Sequence, residues 1–342
     1  MPASAEGQPA VVTMSEVATR AGVSLSTVSH VLNNTRPVND STRARVEQAV
    51  RDLGYRRNAA ARTLAGGRSH AIGVVISGVT NQYFGPLLHA IERRISAEGY
   101  ILLLGDSHDE ATRERLVIDS FLGRSVDGLI VAPSAGFADQ AATAVTGSDT
   151  PLVLIDRSAD IACDQVTPEN RASTEMLTSH LIEHGHRRIG AIVGLAGLDS
   201  TTERRAGYLD ALAAHGIEAD PRLIIAGESN RDHARAAVEQ LLSLDEPPTA
   251  LLTLNNAMTI GAMRAISEFG LRIPDDIALV CYDDFEWSDL FSPGLTAIAQ
   301  NVERMGREAV DLLMRRIEGD RSPFEQRIVD TSFHRRTSCG CP

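Results

Sequence analysis

From residue 71 onward, apolar residues come in short unbroken runs separated by longer stretches with helical spacing. The runs fall at 71–77, 100–104, 128–132, 151–155, 188–193, 223–226, 249–254 and 277–281. Continuous apolar runs of this length read as strands buried on both faces. Between them, 86–98, 113–122, 170–184, 204–215, 233–242 and 258–269 repeat apolar residues every three or four positions, as amphipathic helices do. Gly99, Gly185, Gly216 and Gly270 each follow such a stretch, where a helix commonly ends in a left-handed residue. Strand–helix alternation predicts parallel sheets covered by helices on both faces. About ten units over roughly 270 residues suit two such sheets better than one.

The first seventy residues carry a different pattern, with no strand-like run. Thr13-Met-Ser-Glu16 has the spacing of a capping box, and Val17, Ala18 and Ala21 supply the apolar face behind it. Gly22 stops this helix, and Ser24 caps a second one through Leu25–Asn33 with Val28, Val31 and Leu32 inward. Asn39 caps a third, whose stripe is Val46, Ala49, Val50 and Leu53 and whose end is Gly54. Two short helices joined by a tight glycine turn predict a helix-turn-helix. On the second helix Leu25, Ser26, Thr27, Ser29 and His30 face outward, small or polar groups suited to base edges in a major groove.

Composition narrows the classes. Hydrophobic residues make up 43% and charged residues 23%, which excludes disorder over most of the chain. No apolar run approaches the ~18 residues of a membrane span. Residues 1–14 lack the basic and apolar regions of a secretory signal, so the expected location is cytoplasmic. Four cysteines do not make a disulfide framework. All 33 basic residues are arginine, which removes every chemistry that needs a lysine: the P-loop, the Schiff base and the kinase strand lysine. The net charge of −12 hides an asymmetry. Residues 1–70 hold 9 arginines against 5 acids, and residues 71–342 hold 24 against 40. A basic head on an acidic body is the electrostatic footprint of nucleic-acid binding confined to the head.

The run from Ser15 to Asn33, SEVATRAGVSLSTVSHVLN, resembles the headpiece of the lactose-repressor (LacI/GalR) family of bacterial transcription regulators. The run Thr27 to Arg36, TVSHVLNNTR, is similar to its purine-repressor branch. The segment 55–67, YRRNAAARTLAGG, resembles the family's hinge helix. The resemblance implies that two hinge helices of a dimer enter the minor groove and wedge Leu64 into the central base step, with Ala61 one turn before it. Such wedges unstack a step and bend the duplex. The DNA-binding set is then Ser15, Leu25, Ser26, Thr27, Ser29, His30, Asn33, Arg36, Ala61 and Leu64. Arg36, Arg43, Arg56 and Arg57 are candidate phosphate contacts.

In open parallel sheets, ligands bind beyond the carboxyl ends of strands. Asn81-Gln-Tyr83-Phe84, Asp156-Arg157, Ser200 through Arg205, Asn255-Asn256, Asp283-Asp284 and Gln300 each follow a strand, the last after 296–299. Amides and carboxylates take vicinal hydroxyls in pairs, and an aromatic ring covers the C–H face of a sugar, so the set predicts a monosaccharide site. The family body is similar to periplasmic sugar-binding proteins, and the resemblance runs from residue 14 to about 336. It implies effector contacts at Asn81, Tyr83, Phe84, Asp156, Arg157, Arg204, Asn255, Asp283 and Gln300. Asn255-Asn256 stands where the family has Asn-Asp. The purine branch stacks its ligand on apolar and aromatic groups, which Asp156-Arg157 fits less well, so a purine-repressor-like head meets a sugar-like pocket.

Other constellations carry less. Cys339-Gly-Cys341 has no second pair and falls short of a zinc site, so it reads as a frayed tail. His180, His184 and His186 lie at a helix end outside any His-Glu-x-x-His frame. Asp156 and Asp283 have no separate general acid, which argues against a glycosidase. Cys163 and Cys281 read as interior thiols. No catalytic residue, metal or cofactor is expected.

The fold expected is an all-α helix-turn-helix headpiece with hinge helix, followed by an α/β core of two doubly wound parallel-sheet lobes. The domains expected are a disordered lead-in 1–12, headpiece 13–57, hinge helix 58–69, core 70–336 and tail 337–342. The N-lobe is expected at about 70–162 plus 294–321, and the C-lobe at about 163–293 plus 322–336. The expected function is repression of sugar-utilisation genes, released from a palindromic double-stranded DNA operator by a pentose, hexose or similar polyol. No leucine-heptad tail is present, so a homodimer is expected. The alternatives are a corepressor-type regulator that binds a purine, and a sugar-binding protein without DNA function.

Overall fold

The computed structural model describes residues 12–33, 36–55 and 68–341. Residues 1–11 of the expected lead-in, residues 58–67 of the expected hinge helix with Ala61 and Leu64, and the candidate phosphate contacts Arg56 and Arg57 lie outside the described residues. The chain divides into two compact units, 1–69 and 70–342.

In the first unit, α1 (Met14–Ala21), α2 (Leu25–Asn33) and α3 (Asp40–Leu53) follow the caps in the sequence. Glu16 N–H donates to Thr13 Oγ1 at 3.4 Å, and Thr13 N–H donates back to Glu16 Oε2 at 2.6 Å, which completes the capping box. Gly22 then turns left-handed at φ 63°, a conformation costly for residues with a Cβ. Ser24 Oγ accepts from Thr27 N–H at 3.2 Å, and Asn39 Oδ1 from Thr42 N–H at 2.8 Å. Val17, Val28 and Val46 meet in a small apolar core with Ala18, Ala21, Val31 and Ala49. That core leaves one face of α2 for other contacts.

In the second unit the described strands, numbered in chain order, form two six-stranded sheets. The first contains β1 (Ala71–Ile76), β2 (Ile101–Asp106), β3 (Gly128–Val131), β4 (Leu152–Ile155), β5 (Asp164–Pro168) and β11 (Gln326–Val329), in the order β11-β5-β4-β3-β1-β2. The second contains β6 (Ile189–Val193), β7 (Ile224–Ala226), β8 (Ala250–Thr253), β9 (Ala278–Tyr282), β10 (Thr296–Gln300) and β12 (Thr331–His334), in the order β12-β10-β9-β8-β6-β7. All neighbours are parallel except β12, which runs antiparallel to β10. Helices cover both faces, as parallel sheets require. Helices Arg171–Glu183 and Asp199–Ala214 approach so closely that a Cβ on Gly207 would lie 2.1 Å from the Arg171 carbonyl oxygen.

Three expected boundaries are corrected by strand pairing. β5 belongs to the first sheet, so that lobe extends to Pro168 rather than 162. β10 belongs to the second sheet, so 294–300 leaves the N-lobe. β11 returns to the first sheet, so 322–329 leaves the C-lobe. The chain therefore crosses between lobes at 169–170, at 301 and at 330. Register pairs Pro168 with Val329 and Gln300 with Thr331, which sets the three crossings side by side.

The expected tail at 337–342 is also corrected. Ser338, Cys339 and Cys341 are buried. Ser338 Oγ donates to Leu279 O at 2.6 Å and accepts from Thr296 N–H at 2.8 Å, while Leu279 N–H donates to Ser338 O at 2.8 Å. Backbone pairing of this kind fixes a segment that local composition marks as loose.

Candidate functional site

The carboxyl ends of both sheets face a cleft between the lobes, which encloses about 430 Å³, part of it open to solvent. All nine residues expected to contact an effector line it, eight of them being Asn81, Tyr83, Phe84, Asp156, Arg157, Asn255, Asp283 and Gln300. Arg204 completes the set.

A chain of polar contacts spans the cleft. Tyr83, just before the helix Phe84–Ala97, places its hydroxyl 2.7 Å from Asp156 Oδ1 and 2.9 Å from Gln300 Oε1. Gln300 Nε2 then donates to Asp283 Oδ1 at 2.6 Å. Tyr83 and Asp156 belong to the first lobe, Gln300 and Asp283 to the second, so one hydroxyl joins two buried carboxylates through an amide. Asp156 and Asp283 follow β4 and β9 with φ of 70° and 78°. Left-handed backbone at a non-glycine residue is uncommon, and aspartate tolerates it better than most. It turns each carboxylate out of its strand direction and into the cleft.

The guanidinium groups are held from behind. Arg204, buried on the helix Asp199–Ala214, donates Nε to Asn170 Oδ1 at 2.8 Å and Nη1 to Leu254 O at 2.7 Å. Its Cζ lies 3.7 Å from the centre of the Tyr282 ring, a cation–π contact that shields the charge. Arg157 pairs with Asp109, approaches Asp156 Oδ2 at 3.5 Å and donates to Pro133 O at 3.3 Å. Burial raises the Asp156 carboxyl above its ordinary value, even with Arg157 and the Tyr83 hydroxyl beside it. Burial, then the Asp156 charge, pushes the Tyr83 phenol well above its ordinary value, so it stays a neutral donor.

The remaining residues divide by role. Asn255 Oδ1 accepts from Met258 N–H at 2.9 Å and caps the helix Asn256–Glu268. Asn256 reaches across the cleft, its Nδ2 donating to Asn81 Oδ1 at 2.6 Å. Asn81 Oδ1 also accepts from Tyr83 N–H at 3.1 Å, which fixes both amide orientations. Asn256 Oδ1 is buried without a partner among the described residues. Phe84 is packed into the first-lobe core and meets Tyr83 edge to face at 5.1 Å. Asp284 turns away from the cleft into a bidentate pair with Arg336 at 2.7 and 2.8 Å.

Sequence reasoning placed Asn256 in the strand-end set beside Asn255 without giving it an effector contact, and it missed Asp109, Asn170 and Tyr282. Asp109 and Asn170 act through arginines far along the chain, and no local pattern marks them.

On the first unit, Ser15, Leu25 and Ser26 are exposed and Thr27, Ser29 and His30 are half-buried, with Thr27 and His30 lining a shallow depression shared with Arg36 and Thr42. Val28 between them is fully buried. The exposed face of α2 therefore carries the short polar side chains expected for groove reading. Among the described residues no helix is long and apolar enough to cross a membrane.

Comparisons with known proteins match both units. Residues 13–58 match the bacterial regulatory proteins of the lacI family, and residues 178–339 match a periplasmic binding protein-like domain. The chain is similar to the HTH-type transcriptional repressor PurR of Aliivibrio salmonicida, at 33% identity over 319 residues, 93% of this chain and 95% of that protein. PurR of Haemophilus influenzae is 32% identical over 305 residues, covering 89% and 91%. Among solved structures, the lac repressor dimer bound to operator and the anti-inducer ONPF has a TM-score of 0.85 at 30% identity, covering 96% of this chain and 99% of that one. The transcriptional regulator CelR–cellobiose complex has a TM-score of 0.73 at 28% identity, covering 96% and 99%.

Proposed function

Because this chain belongs to the lacI family of bacterial regulatory proteins, we propose that it represses transcription from an operator and is released by a monosaccharide. It is a DNA-binding transcriptional regulator, not an enzyme, that works as a dimer with a small-molecule effector. The two α2 helices of the dimer read half-sites through Leu25, Ser26, Thr27, Ser29, His30 and Asn33. Ser15 and Arg36 position the duplex, and Ala61 and Leu64 enter the minor groove.

The observation that carries the sugar reading is the polar chain Asp156–Tyr83–Gln300–Asp283, flanked by Arg157 and Arg204. Vicinal hydroxyls satisfy such paired carboxylates and amides as donor and acceptor at once. Asn81, Phe84 and Asn255 complete the wall. The occupied cleft favours the closed lobes, and that difference in affinity between states is what shifts operator binding.

A purine corepressor is the second reading, favoured by the PurR relatives at 32–33% identity. Thermal melting against pentoses, hexoses, hypoxanthine and guanine separates the two. Ligand at about 100-fold its Kd adds about 2.7 kcal/mol, a rise of several degrees. A rise with one sugar, abolished in Asp283→Ala, together with weaker operator binding, supports induction. A rise with purines alone, together with tighter operator binding, replaces it with corepression.

A further inference from the structure

We propose that His180, His184 and Cys341 form a binding site for one divalent transition-metal ion of the zinc class. His180 lies in the last turn of the helix Arg171–Glu183 and His184 caps it, four residues on and therefore on the same face. His184 Nδ1 is 2.7 Å from the His180 carbonyl oxygen, so Nδ1 carries the proton and Nε2 offers its lone pair. Cys341 Sγ stands 3.1 Å from that Nε2 and 3.3 Å from His180 Nε2. The three donor atoms lie within 4.8 Å of one another. Around a tetrahedral zinc ion, a nitrogen and a sulfur donor sit about 3.5 Å apart, so small adjustments admit the ion.

The surroundings suit a bound cation more than a chance meeting of side chains. His180 and Cys341 are buried, and His184 is exposed, which leaves one side for an ion to arrive. Cys339 Sγ, 2.8 Å from Cys341 Sγ, is the adjacent thiol for the fourth position. Thr296 Oγ1 donates to Cys339 Sγ at 3.2 Å, which supports negative charge on that sulfur. Imidazole and thiolate donors select zinc, cobalt or copper over magnesium or calcium. Sequence reading set Cys339-Gly-Cys341 and the histidines aside separately, and the pairing of Ser338 with Leu279 and Thr296 is what brings them together. A bound ion would tie residue 341 to a helix that starts at the first crossing between lobes.

The test is titration of the reduced, chelator-stripped full chain with Co²⁺, followed by Zn²⁺. One equivalent of cobalt per chain is expected, with thiolate-to-metal charge-transfer absorption that zinc abolishes. Cys341→Ser loses the absorption. His184→Gln, at an exposed position that leaves packing intact, weakens cobalt binding at least about tenfold. Absence of charge-transfer absorption in the wild type, or unchanged cobalt affinity in His184→Gln, overturns the proposal.

Discussion

Glu114 makes a quantitative link between pH and the stability of the first lobe. It sits on the helix Ala111–Leu122, fully buried. Oε1 accepts from Ser134 N–H at 3.0 Å and from Ser134 Oγ at 3.1 Å, while Oε2 has no partner among the described residues. Burial pushes its carboxyl from 4.5 up to about 7, against the two Ser134 bonds and the Arg157 charge. The folded state thus holds a proton that the unfolded chain releases, so the contribution of Glu114 to stability is greatest at low pH and falls as pH rises through this window. At about 1.4 kcal/mol per pH unit, the loss between pH 4.5 and about 8 approaches 3 kcal/mol. Glu114→Gln keeps the shape and removes the titration. Urea unfolding of both proteins, from about pH 5 to pH 9, should show the wild type losing about 2.5 kcal/mol relative to the variant, with the curves parallel above about pH 8. Curves parallel throughout would refute the reasoning, because the native carboxyl would then titrate as it does in the unfolded chain.

Three further outcomes follow from the geometry. Gly207→Ala forces two helices apart at the Arg171 carbonyl and should cost about 3 kcal/mol or more in urea unfolding; a change under about 1 kcal/mol would mean the helices yield freely. Arg204→Met keeps bulk but leaves Asn170 Oδ1 and Leu254 O without their donor, so effector affinity by calorimetry should fall at least about tenfold, and an unchanged affinity would remove Arg204 from the site. His30→Ala should cost about 1–3 kcal/mol in operator binding by fluorescence anisotropy while leaving binding to random duplex unchanged; an equal loss on both would make His30 a phosphate contact.

Much of the architecture is written in local pattern. The caps at Thr13, Ser24 and Asn39 and the strands from β1 to β10, β5 excepted, follow from residue types that act on their near neighbours. β5, β11 and β12 do not. β5 reads DQVTP, and its buried Asp164 is satisfied from far along the chain, by Arg316 at 2.7 and 2.9 Å and by Glu325 N–H at 2.8 Å. β11 and β12 expose half or more of their residues at sheet edges, so neither shows a buried run. The helix Val302–Ile317, by contrast, carries Met305, Ala309, Val310 and Leu313 at helical spacing, and that signal was there to be read. The cleft was legible because chain order tells which residues follow a strand. Its supports were not, because Asp109, Asn170 and Tyr282 meet their arginines only in three dimensions.

The three crossings at 169–170, 301 and 330 set what the core can transmit. Links of one or two residues have almost no slack. Two bodies tied at three points in a row keep one easy motion, rotation about that row, while sliding and shearing are blocked. Asn170 and Gln300 lie on or beside the row and are bonded to Arg204, Tyr83 and Asp283. A ligand seated at these residues as proposed would push near the fulcrum, where displacement is small and force is large. A turn of about 10° moves a surface about 20 Å from the row by about 3 Å. The effector's message leaves the core as an angle, multiplied by distance.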